Sequence, residues 1–74
     1  MNDLSQFDFK KKLAENILKH RKKLNLSQEE LAHRIGKDKQ FINRYEVQGA
    51  NPTAFTLKKL ADALGVTPND LLDF

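Results

Sequence analysis

Apolar side chains recur three or four positions apart along most of this chain, and no stretch alternates as a strand would. From Phe9 to Leu24 the positions Leu13, Ile17, His20 and Leu24 stack on one side, which predicts a first helix. Asn25 follows as a left-handed stop. Ser27 stands three residues before Glu30, the spacing of a capping box, so a second helix starts there with Leu31, Ala32 and Ile35 facing inward. Gly36 ends it, because glycine enters the left-handed region without a Cβ clash. Asp38 is placed to accept hydrogen bonds from the first free N–H groups of a third helix. Thr53 opens a fourth, with Phe55 or Leu57, then Leu60, Ala61 and Leu64 inward and Gly65 at its end. Thr67-Pro68-Asn69-Asp70 predicts a fifth, through a threonine cap, proline at the first helical position and an acid in the first turn. The expected fold is all-α: five short helices forming one domain over residues 9–74, after a loose arm at residues 1–8.

The second and third helices, separated only by Gly36, Lys37 and Asp38, have the layout of a helix-turn-helix. At about 100° per residue and with Lys39 as zero, Phe41, Tyr45 and Ile42 fall at roughly 200°, 240° and 300°. That is the expected buried side. Lys39, Asn43, Gln40 and Arg44 fall at roughly 0°, 40°, 100° and 140°, opposite to it. Such side chains can donate in pairs to base edges or contact phosphates, although any solvated helix face also carries polar residues. Their place directly after a capped helix and a glycine turn favours nucleic acid.

Charge sharpens this picture. The 74 residues carry a net +3, but residues 10–44 hold eleven lysines and arginines against four acids, whereas the remainder holds two against six. The basic part contains both helices of the motif, as a phosphate-facing surface requires. A chain of this length makes one small domain, marginal for a core unless it packs tightly or dimerises. The absence of cysteine removes disulfides and thiolate metal sites and suits a reducing cytoplasm. No apolar run approaches membrane-spanning length, and Met1–Lys12 lacks the pattern of a signal peptide.

Arg21, the run Leu26-Ser27-Gln28-Glu29-Glu30-Leu31-Ala32, then Gly36, Ile42, Glu46, Pro52 and Leu60-Ala61-Asp62-Ala63-Leu64-Gly65-Val66 together resemble the Xre or Cro/cI family of bacterial and phage DNA-binding domains. The likeness runs from about Leu13 to Leu72 and implies a lambda-repressor-like fold with double-stranded DNA as partner. It assigns base reading to Gln40, Asn43 and Arg44, with the strongest roles for Gln40 and Arg44, since glutamine pairs with adenine and arginine with guanine. It assigns phosphate contact to Gln28 and Lys39, while Asn51 and the loop's backbone N–H groups are the donors left for a phosphate beyond the third helix. Arg21 and Glu46 match a structural pair that bridges the first helix to the end of the third and holds Arg21 near a phosphate. The resemblance further implies a homodimer reading a palindrome, with recognition helices about 34 Å apart. The fifth helix, with Leu71, Leu72 and Phe74, and the loop before the fourth helix are the expected contact.

Departures from the family pattern cluster at the turn and just beyond the third helix. Phe41 stands where serine or threonine is usual and Lys37 where valine or isoleucine is usual, so Phe41 is expected to pack into space that Lys37 leaves empty. His20 replaces a common leucine and is expected to be partly buried and hydrogen-bonded. Asp38 puts a negative charge where relatives have a neutral cap. In Val47-Gln48-Gly49-Ala50-Asn51 the glycine is shifted by one and lysines or arginines are missing. That predicts a lower salt slope, by about 0.9 for each phosphate left without a cation.

Catalysis finds little support. His20 and His33 lie on different helices with no joining carboxylates, Ser27 is already a cap, and no glycine-rich phosphate loop occurs, so no cofactor, metal or small-molecule substrate is expected. The function expected is a cytoplasmic, sequence-specific transcriptional regulator, a repressor acting as a dimer. The alternative is an antitoxin or adaptor whose main partner is a toxin or other protein, docked on an apolar tail.

Overall fold

The computed structural model describes residues 5–74, and in them five helices surround one core. These are α1 (Gln6–Lys23), α2 (Gln28–Arg34), α3 (Lys39–Asn43), α4 (Ala54–Leu64) and α5 (Pro68–Leu71). A π-helical turn, Arg44–Gln48, continues α3 without a break in the chain direction. No described helix is long and apolar enough to cross a membrane.

The starts of α2 to α5 are each capped by the side chain that the sequence placed there. Ser27 and Glu30 exchange both hydrogen bonds of a capping box, Asp38 accepts from the Phe41 N–H, and Thr53 accepts from the Thr56 N–H. Thr67 and Asp70 form a second box at α5, with Pro68 in its first turn. The first helix begins earlier than its apolar spacing indicated. Ser5 accepts from the Asp8 N–H at 3.0 Å, so residues 6–8 are helical ahead of Phe9, and residues 1–4 of the expected arm lie outside the described residues.

The helix ends share one device. After α1, α2 and α4 the chain turns left-handed at Asn25 (φ 57°), Gly36 (φ 70°) and Gly65 (φ 71°). In each case the next N–H reaches back to a carbonyl in the last helical turn: Leu26 to Arg21, Lys37 to Ala32 and Val66 to Ala61. Paired with a bond from the left-handed residue itself, this satisfies carbonyls that the helix leaves open.

The core gathers Leu13, Ile17, Leu31, Ala32, Ile35, Ile42, Tyr45, Leu60, Ala61, Leu64 and Leu71. At α4 the choice between Phe55 and Leu57 falls to Leu57, which packs on the core while Phe55 is 72% exposed. The inner face of α1 also differs from the expected one. Leu24 is 45% exposed, whereas Arg21 is buried at 9%. Arg21 continues the line Leu13, Ile17 at intervals of four, and a partner for its charge makes that burial tolerable. His20 is half-buried, as expected, but no hydrogen bond joins its side chain to the described residues. Burial, then Lys23 and Lys19, push its pKa down against an opposing pull from Asp70.

Cross-links tie this scaffold together. Asn16 donates to the Leu71 carbonyl at 2.9 Å, Arg34 to the Ala63 carbonyl at 3.0 Å and Lys59 to the Ile35 carbonyl at 3.1 Å. The fifth helix is therefore part of the monomer. Leu71 has no exposed surface and Leu72 packs against the core, so the expected apolar tail shrinks to Phe74. Even Phe74 meets Phe9 edge-on, with ring centroids 5.9 Å apart. Leu71 is thus corrected from a dimer contact to a core residue.

Candidate nucleic-acid interface

The third helix presents two unlike faces. Ile42 and Tyr45 are buried against the core, and burial pushes the Tyr45 phenol up from its ordinary pKa. Lys39, Gln40 and Arg44 are exposed and Asn43 is half-buried. The sequence places both faces correctly through Arg44. Phe41 lies at their boundary, half-buried against the core with its ring 5.1 Å from that of Tyr45. Two cations bracket that ring: the Lys37 ammonium at 5.2 Å and the Arg44 guanidinium at 5.5 Å from its centroid. The phenylalanine therefore packs as expected, and it also gives Arg44 a surface to rest on, restricting its rotamers. Lys37 stays exposed, with its charge over the aromatic face.

Behind this face runs a chain of partly buried polar contacts. Arg21 donates from Nε to Glu46 Oε2 at 2.7 Å and from Nη2 to Oε1 at 2.9 Å, a forked pair, while Nη1 reaches the Leu26 carbonyl at 2.6 Å. Gln28 Nε2 donates to Glu46 Oε1 at 3.0 Å, and Gln28 Oε1 accepts from Asn43 Nδ2 at 3.4 Å. One carboxylate thus binds α1, α2 and the end of α3 into a unit. The side chains of Arg21 and Glu46 are only 10% and 2% exposed, so the pair is sheltered from salt screening. These bonds turn the guanidinium of Arg21 toward Glu46 rather than toward solvent. The link through Gln28 was not anticipated, since nothing in the spacing of residues 28, 43 and 46 announces a shared carboxylate.

The π-helical turn is the other feature that helical periodicity did not announce. A π turn advances at roughly 80° per residue instead of about 100°, so Glu46 falls at roughly 300°, in line with Ile42, rather than at roughly 340° on the flank. The wider turn therefore swings Glu46 under the helix toward Arg21. Gly49 closes the turn at φ 77° and ψ 138°, where only glycine is comfortable. A Cβ there would lie 3.1 Å from Lys10 Cβ and 3.4 Å from its carbonyl carbon, so the loop sits tight on α1. Glu46 is tied to α1 through Arg21, and Gly49 packs close to Lys10 on the same helix, with the wide turn between them. The one-residue shift of the glycine was the available signal.

Gln40, Asn43, Arg44 and Gln48 line one shallow polar concavity on the outer face. Asn51 lies apart, beside Ser5, Gln6 and Phe9.

Comparison with known proteins agrees with this geometry. A family model described as helix-turn-helix matches residues 17–71. An uncharacterised HTH-type transcriptional regulator of Sinorhizobium fredii is 37% identical over 65 residues, covering 88% of this chain and 84% of that protein. Among solved structures, the hypothetical transcription factor NHTF from Neisseria superposes with a TM-score of 0.82 at 33% identity, over 97% of this chain and 84% of its own. The restriction-modification controller protein C.AhdI from Aeromonas hydrophila does so with a TM-score of 0.77 at 31% identity, over 82% and 92% respectively.

Proposed function

Because the chain belongs to the helix-turn-helix family of DNA-binding transcriptional regulators, we propose that it is a cytoplasmic repressor that reads a palindromic operator as a homodimer. The observation that carries this reading is the free polar face of α3. Gln40 and Arg44 stand exposed with no hydrogen bond to the described residues, on a helix held rigidly from behind by Glu46. Side chains of these two types, side by side on a fixed helix, suit adenine and guanine edges in the major groove. Asn43 has a long contact to Gln28 and serves as the secondary reader. Lys39, Gln28 and Asn51 would position the phosphates, with Arg21 acting through Glu46 rather than on DNA.

A domain this small covers few base pairs, so two copies with recognition helices about 34 Å apart are needed for a useful site. Phe74, Leu72 and the loop before α4 are the surfaces we assign to that contact. The likeness to a restriction-modification controller protein supports a role in gene regulation. Repression follows if the occupied operator overlaps a promoter.

Selection from random duplexes at two salt concentrations tests this. The expected result is an enriched palindrome for the native chain and loss of specificity at one position per half-site for Arg44→Ala. If no palindrome emerges and Arg44→Ala binds like the native chain, DNA reading by α3 is wrong, and a protein partner becomes the better assignment. Sedimentation of a chain ending at Asp73 tests the dimer contact; an unchanged association constant removes Phe74 from it.

A further inference from the structure

We propose that Gln48 is a further specificity-determining residue, brought onto the reading face by the π-helical turn. Its role rests on the DNA reading given to α3, and the helical wheel excludes it. If the helix kept an α-helical pitch, Gln48 would fall at roughly 180°, against the edge of the buried side beside Phe41. Wound at roughly 80° per residue beyond Arg44, it falls instead at roughly 100°, in line with Gln40. The structure agrees: Gln48 is exposed and lines the same concavity as Gln40, Asn43 and Arg44. Its amide makes no hydrogen bond to the described residues, so both its donors and its acceptor are available.

The placement is held from two sides. Glu46 is fixed by the forked pair with Arg21, and Gly49 packs so close to Lys10 that a Cβ would crowd it, leaving Gln48 between two points of contact with α1. A long polar side chain with a fixed backbone and a free amide suits the N6 and N7 groups on the major-groove edge of one adenine. It sits roughly 10 Å beyond Gln40 along the helix axis, about three base-pair steps further along the groove. Moving the glycine to position 49 thus does two things: it leaves room for Gln48 and imposes the wide turn that aims it.

The test is the same duplex selection applied to Gln48→Ala, Gln48→Glu and Arg44→Ala, each first compared with the native chain by thermal melting. Gln48→Ala is expected to relax discrimination at one base pair per half-site by roughly 5- to 150-fold, with non-specific binding and salt dependence unchanged. Gln48→Glu is expected to turn the preference at that base pair toward cytosine, whose amino group a carboxylate accepts. The inference is overturned if both Gln48 variants select the native site while Arg44→Ala alters it. If Arg44→Ala also selects the native site, the DNA-reading role of α3 fails, and the role of Gln48 with it.

Discussion

The two ends of α3 with its π-helical extension are held by different physics. At its start, Asp38 caps the Phe41 N–H three residues on, and Gly36 supplies a left-handed turn whose missing Cβ faces open space. At its end, Glu46 is clamped by Arg21 from a position 25 residues away, and Gly49 lies against the Lys10 backbone. The first end is built from neighbours in sequence and tolerates adjustment. The second is built from distant contacts in a tight space, where a shift in one residue moves the others. Direction of entry is therefore a local property of this helix, while the aim of its far half is a global one.

The largest effect should come from the clamp. Glu46→Ala leaves the Arg21 guanidinium buried without its partner and is expected to lower stability by about 3–5 kcal/mol in urea unfolding. Arg21→Met combined with Glu46→Leu should lose far less, since no unpaired charge remains; equal losses would mean that the pair matters only through its shape. Next come the two glycines. Gly49→Ala should cost about 1–3 kcal/mol for its backbone conformation and more for pushing α1 away. Gly36→Ala should cost only about 1–2 kcal/mol, the conformational part alone. Matching melting temperatures for the two variants would abolish the distinction between the ends.

Asp38→Ala removes a local cap and is expected to cost about 1 kcal/mol, with little change in which base pairs are selected. The smallest effect is in the pH dependence of the capping boxes. Hydrogen bonds from the Ser27 backbone and side chain hold the Glu30 pKa below its ordinary value, and those from Thr67 do the same for Asp70. A carboxylate that resists protonation when folded stabilises the fold fully above the ordinary range near pH 4 and loses that contribution as pH falls through the lowered value. Glu30→Gln, which keeps a capping acceptor without a charge, should flatten the decline in melting temperature between about pH 5 and pH 3. A decline as steep as the native one would take Glu30 out of the acid response.

The same division separates what was legible in the chain from what was not. Caps and stops at Ser27, Gly36, Asp38, Thr53, Gly65 and Thr67 were readable because each acts within four or five residues. The sidedness of α3 through Arg44 was readable for the same reason. Leu24 and Arg21 exchanged places because hydropathy ranks one side chain at a time, whereas the burial of Arg21 depends on a carboxylate supplied by another helix. Leu71 looked like a sticky end and proved to be core, since the short α5 folds back and Asn16 fastens its carbonyl. The start of α1 was missed because Phe7, the apolar residue in its first turn, stays exposed and off the line of Leu13 and Ile17.

Family membership, the order of five helices, the helix-turn-helix and the exposed side of α3 all follow from the pattern along the chain. Periodicity and capping are short-range, and their rules do not depend on what lies across the core. Two outcomes were settled in three dimensions instead: Glu46 joins α1, α2 and the end of α3 through one carboxylate, and the turn after Asn43 widens between the Arg21 pair and the close packing of Gly49. Those outcomes depend on the distance between segments that meet only after folding, and one of them changes which residue shares the exposed face with Gln40 and Arg44.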